Sequence, residues 1–187
     1  MWKGIKALFG MGEKADPPEV VEAKRRMAID AAEPRKRYVW CVLAISTSER
    51  VDPGYLPEFA SKAIREWYGM KSREKLLENI AYYIGGTGST PGYDAFRAAF
   101  MARAGFGAGM LSEDESWDAA FRVVRNLKRS YPSWDHYANG YLDGHLAFRK
   151  KQGDSDDALQ RYRRNILERQ RIIASTVWPQ TPYEMPV

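Results

Sequence analysis

Both histidines of the chain fall in the stretch SWDHYANGYLDGH (133–145), with Ser133, Asp135, Asp143 and the rings of Trp134, Tyr137 and Tyr141. Histidine beside carboxylate can do acid–base work or hold a metal, and Ser, Asp and His are the residue types of a hydrolytic triad. The spacing argues against each chemistry in turn. On a helix opened by Ser133, His136 and His145 are about half a turn out of phase at ~100° per residue, so they face opposite sides and share no metal. Asp143 falls one heptad from His136, which leaves a single His–carboxylate pair, too few ligands for zinc. Ser133, Asp135 and His136 lie within one helical turn, where triad geometry does not form. The same helix places Trp134, Tyr137, Tyr141, His145 and Phe148 on one face, with Gly140 and Gly144 beside them. That stripe predicts a packing seam, with His145 a satisfied core histidine and the glycines a place of close backbone approach.

The remaining candidate motifs have structural readings too. GGTGSTPG (85–92) lacks the Gly-Lys-Ser/Thr of a phosphate loop, and GFGAG (105–109) opens no βαβ unit. Glu113, Asp114, Glu115 and Asp118 read as the acidic first turn of a helix rather than a magnesium site. Asp94 and Arg97, at i,i+3, read as a structural ion pair. Cys41 is the only cysteine and sits in the apolar run YVWCVLAI. No intrachain disulfide can form, which favours a reducing compartment, and nothing nearby lowers the thiol pKa. No catalytic residue, metal or cofactor is assigned from these motifs.

Helices must position these groups. Val20, Ala23, Met27 and Ala31 share a face of a helix over 19–32, and the run 35–46 reads as a second helix. DPGYLP (52–57) is turn chemistry; a helix over 58–68 follows, stopped by Gly69. Ser72 caps a helix carrying Leu76, Leu77, Ile80, Ala81, Tyr83 and Ile84. Residues 93–104 form the next, with Phe96, Phe100 and Ala104 on one face and Gly105 at its end. Ser112 and Glu115 make a capping box for a helix whose stripe is Trp117, Ala120, Phe121, Val124 and Leu127. After the Ser133 helix, a last helix over about 156–174 turns Leu159, Tyr162, Ile166, Gln170 and Ile173 inward. The expected fold is all-α: one compact multi-helix domain at 19–175, an N-terminal amphipathic arm at 1–18 and an extended Pro-rich tail at 176–187, docked by Trp178 and Tyr183.

Composition bounds the partners. Of 187 residues, 44% are hydrophobic and 28% charged, which is globular usage, and no stretch approaches the ~20 apolar residues of a membrane span. The net charge of +5 permits an acidic partner. Residues 149–171 hold eight Lys/Arg against four Asp/Glu, so Arg161, Arg163 and Arg164 could track a phosphate backbone. In the arm, Trp2, Ile5, Leu8 and Phe9 share a side, with Lys3 and Lys6 around it. This pattern reads as docking on the domain or on a partner chain in preference to a membrane surface.

From Trp40 to Arg149 the chain resembles an uncharacterised bacterial family, the YbeU/YbeR-like proteins. The matching stretches are REWYGMKSREKLLENIAYYI, YDAFRAAFMARAGFGAGMLSEDESWDAAF and SWDHYANGYLDGHLAF. They follow that family's order of a Trp-Trp-Gly-Ile with a Ser-led helix, an Asp-x-x-Arg helix, an Ala-Gly-Tyr-Ile turn and a closing Ser-Trp…Tyr-Leu-x-Gly. Tyr68 stands where a second Trp is usual, Met110 replaces an aromatic, and His145 follows Gly144 where a basic residue is common. The resemblance implies a helical fold in the bacterial cytoplasm and brings no activity with it.

The expected function is a non-enzymatic protein-binding module, toxin-neutralising or adaptor in kind, with Trp134, Tyr137, Tyr141, His145, Asp94 and Arg97 as candidate binding residues. The alternatives are nucleic-acid binding through Arg161, Arg163 and Arg164, and an enzyme with its site between the Asp94/Arg97 and His136/His145 helices.

Overall fold

The computed structural model describes residues 16–46, 51–85 and 90–187, and among these every regular element is helical. The arm residues 1–15 lie outside the described residues. Among the described residues eight α-helices follow one another: α1 (Pro18–Asp30), α2 (Pro34–Leu43), α3 (Pro57–Lys62), α4 (Arg73–Ile84), α5 (Pro91–Gly107), α6 (Glu113–Ser130), α7 (Trp134–Lys151) and α8 (Asp156–Thr176). A 3-10 turn at Pro53–Tyr55 precedes α3, and a π-helical turn at Ala63–Trp67 continues it.

α5 is the hub, packed against α2, α3, α4, α6, α7 and the Pro53–Tyr55 turn. Its sequence says why. PGYDAFRAAFMARAGFG has no continuous polar face, so the helix is stable only where other elements cover it all round. Residues 98–105 are without exception buried. α6 is the opposite case, with Trp117, Ala120, Phe121, Val124 and Leu127 turned inward and arginines outward.

The expected caps form. The side chains of Ser72, Ser112 and Ser133 accept from the backbone N–H three residues on, and Ser112 and Glu115 complete a reciprocal capping box. Several boundaries differ from expectation, among them the expected helices over 19–32 and 35–46, which end at Asp30 and Leu43. Pro18 and Pro91 begin helices instead of preceding them, because at a first helical turn the missing N–H has no partner to lose. Gly105 does not end α5: a Cβ there would lie 2.6 Å from Leu76 Cδ2, so the glycine is interior and lets Leu76 and Leu111 close on the helix. The left-handed residue is Gly109, at φ +71°.

The chain end is tied to the core. Trp178 stacks on Trp134 at 5.6 Å, Tyr183 meets Trp134 at 5.1 Å, and the Tyr183 hydroxyl donates to Tyr131 O at 2.8 Å. The segment is not extended throughout, since Trp178–Gln180 forms a 3-10 turn.

Candidate functional site

The seam between α5 and α7 is filled by rings. Gly144 sits where a Cβ would come within 1.8 Å of Thr90 Oγ1, and Gly140 where one would meet the Tyr131 hydroxyl at 2.0 Å. That closeness brings Tyr93 against Tyr141, His145 and Phe148, with centroids 5.3–5.6 Å apart. Asp94 and Arg97 pair at 2.9 Å with both side chains nearly excluded from solvent. The Arg97 guanidinium is sandwiched between Tyr83 at 4.0 Å and Tyr93 at 4.6 Å. His145 is half-buried beneath Tyr162, and Arg149 donates to the Tyr162 hydroxyl at 2.6 Å while pairing with Asp154 at 2.5 Å. Burial holds the imidazole down at about 4, and the nearby Arg149 and Arg169 reinforce the shift. The neutral ring is a packing element, but it is not the satisfied core histidine expected, since its buried Nδ1 has no hydrogen-bond partner among the described residues.

The other sequence-predicted residues divide between interior and surface. Trp134, Tyr137 and Tyr141 are 7%, 0% and 1% exposed. The Trp134 indole donates to Thr181 O at 2.9 Å and the Tyr137 hydroxyl to Val42 O at 2.8 Å, so their polar ends are satisfied inside the molecule. His136 lies on the exposed side of α7, opposite His145. Ser133 Oγ approaches its Nδ1, at 2.8 Å. That oxygen also accepts from the His136 backbone N–H as the helix cap, and among the described residues no carboxylate pairs with the ring. Arg161, Arg163 and Arg164 are exposed on α8. Arg169 is not a free cation, since it donates to Ser46 O at 2.5 Å. Among the described residues no three His, Cys, Asp or Glu side chains converge as a metal site. No helix among them is long and apolar enough to cross a membrane.

A second polar cluster escaped the sequence reading. Arg103, on α5, pairs with Asp52, at the start of the Pro53–Tyr55 turn, and both side chains are wholly buried. Asp52 also accepts from the Trp40 indole at 2.8 Å and from Gly54 N–H at 2.8 Å. The guanidinium donates to Ser116 Oγ at 3.0 Å and lies 3.5 Å over the Trp117 ring. Next to it Asp30 takes hydrogen bonds from Lys36 and Tyr55; burial opposes its charge, but those bonds outweigh burial and keep its carboxyl below the ordinary range. DPGYLP read as turn chemistry and does form a turn, but a buried one: Asp52, Pro53, Gly54 and Tyr55 are all shielded from solvent. The available signal was Arg103 itself, the charge left unmatched within α5 once Asp94 and Arg97 pair at i,i+3.

A groove of about 800 Å³ lies elsewhere, between the start of α1, the α3–π segment and α5. Its floor is Leu56, Phe59, Tyr68, Phe96 and Phe100. Trp67 stands at its edge, 59% exposed, edge-on to Phe59 at 5.4 Å. The π turn sets that position: Tyr68 N–H reaches back five residues to Ala63 O at 3.2 Å, which rotates Trp67 away from the stripe that buries Ala63 and Ile64. Such insertions recur at functional sites. The charged residues lining the groove, among those described, are Asp16, Glu19 and Glu58, all acidic on a chain of net charge +5.

A family model described as a protein of unknown function, DUF1266, matches residues 20–183, and the chain belongs to that family. The match takes in α1, α8 and the segment to Tyr183, beyond the 40–149 stretch that carried the resemblance. No significant match was found among curated proteins or among solved structures.

Proposed function

We propose that this DUF1266 member is a non-enzymatic protein-binding module that engages its partner through the groove beside Trp67. The observation that carries this reading is an exposed tryptophan held by a π turn over an apolar, acid-rimmed groove. Large aromatic anchors beside a desolvated floor are the features that concentrate binding energy at protein interfaces. A toxin-neutralising or adaptor role in the bacterial cytoplasm, within the YbeU/YbeR-like branch, is the finer form of the proposal; the closing Ser-Trp…Tyr-Leu-x-Gly stretch and the lone cysteine support it. The Asp94/Arg97–His145 seam gives less support to an enzyme, because rings occupy the space a substrate would need.

Nucleic-acid binding is the second reading, favoured by the exposure of Arg161, Arg163 and Arg164 along α8. One experiment separates the two: affinity capture from the native host with wild type and Trp67→Ala, at low and high salt, with mass spectrometry of protein and nucleic acid. A stoichiometric protein that survives high salt and is lost with Trp67→Ala supports the groove. Recovery of nucleic acid alone, lost at high salt and on charge reversal at the three arginines, transfers the function to α8.

A further inference from the structure

Four observations converge on what covers the groove when no partner does. The first is position. The described chain begins at Asp16, and Asp16, Pro17, Glu19 and Val20 themselves line the groove, so the preceding residues lead off from its rim. The seven residues from Phe9 to Asp16 span at most about 25 Å, so residues 2–9 are tethered near that rim. The second is direction. Pro17 is held at φ −54°, ψ 148° and Pro18 opens α1, so the helix cannot be continued backwards and the chain must change course at the groove.

The third is side-chain pattern. Trp2, Ile5, Leu8 and Phe9 recur at the three- and four-residue spacing with which an amphipathic helix presents anchors to an apolar groove. The groove offers Phe59, Trp67, Phe96 and Phe100 to such anchors. The fourth is charge. Lys3 and Lys6 flank those anchors, and every charged residue lining the groove, among those described, is acidic. Most of this basic chain would repel such a segment; this face attracts it.

We propose that the groove is the dock of the chain's own residues 2–9, which a partner must displace. The idea rests on the groove being the interaction surface proposed above. It adds regulation: the arm lowers apparent partner affinity by the fraction of molecules in which it is docked.

The test uses the full-length protein with p-benzoylphenylalanine in place of Trp67, and a second probe in place of Glu58, both exposed positions. After irradiation across a range of protein concentrations, cross-linked peptides are mapped by mass spectrometry. The expected result is a monomeric product joining the probe to residues 2–9, in constant yield at all concentrations. Ile5→Asp with Leu8→Asp should lower that yield at least tenfold. A dimeric product that grows with concentration overturns the proposal in favour of a second copy. Photolysis that yields no adduct to residues 2–9 at either probe overturns it as well. The capture experiment is independent of this one. Loss of partner with Trp67→Ala but no arm cross-link leaves the groove as an interface and removes only the arm; an arm cross-link with capture insensitive to Trp67→Ala removes the partner reading instead.

Discussion

Arg103 Nε lies 2.8 Å from Asp52 Oδ2 and 3.1 Å from Oδ1, although the two residues are 51 positions apart in the chain and neither side chain is reached by solvent. Through Trp40 and Ser116 the pair also touches α2 and α6, so one desolvated ion pair ties four segments together. Removing either partner leaves a buried charge without compensation. Arg103→Met or Asp52→Asn should each cost about 3–5 kcal/mol in urea unfolding, with the double variant losing clearly less than the two together. A loss below about 1 kcal/mol for either single change would mean that water enters the site.

Trp67 and Trp134 carry the same side chain in opposite settings. Trp67→Ala should cost at most about 1 kcal/mol, because the residue is largely exposed and its ring meets Phe59 only edge-on. Trp134→Ala removes a ring packed on Tyr38, Trp178 and Tyr183, and should cost about 3–5 kcal/mol. Equal losses in thermal melts would contradict the assignment of Trp67 to the surface and of Trp134 to the core.

His145 supplies a pH dependence whose sign is set by burial. The unfolded chain takes up a proton near 6.5, while the folded imidazole resists until about 4. Between those values the unfolded state holds more protons, so stability contributed by a neutral His145 is complete above pH 6.5 and is lost as pH falls towards 4. Because solvent reaches part of the ring, the loss is on the order of 1–2 kcal/mol. Urea midpoints for wild type should fall more steeply over this window than those of His145→Phe; parallel curves would place the imidazole in water.

Helix approach across the α5–α7 seam is tested with one methyl group. Gly144→Ala would drive a Cβ into Thr90 Oγ1 and to 2.6 Å from Tyr93 Cβ, and should cost about 1–3 kcal/mol. Gly85→Ala meets nothing closer than 3.4 Å and should be near neutral. The difference between the two melting temperatures is the readout, and its absence would mean the helices can part freely.

Cys41 is buried, and burial pushes its thiol up to about 12. It should resist an aromatic disulfide reagent at pH 8 in the folded protein and react at once in denaturant. Prompt labelling of the native protein would show that α2 opens.

The sequence by itself determined the helices and their caps, because these depend on neighbours three or four residues away. Ser72, Ser112 and Ser133 cap by bonding to the third backbone N–H along the chain, and the stripe Trp117–Leu127 needs only the helical period to be recognised. It also identified the ring stripe of α7 as a seam, since Gly140 and Gly144 beside four rings have little other use. The tertiary structure alone decided what fills each space. Whether Gly105 ends a helix depended on Leu76 arriving from another helix. Whether DPGYLP met water depended on Arg103 across the core. Which tryptophan faced outward depended on a single π-turn residue that shifts the register of 63–67. Each of these outcomes is set by contacts between segments distant in the chain, and local periodicity does not encode them.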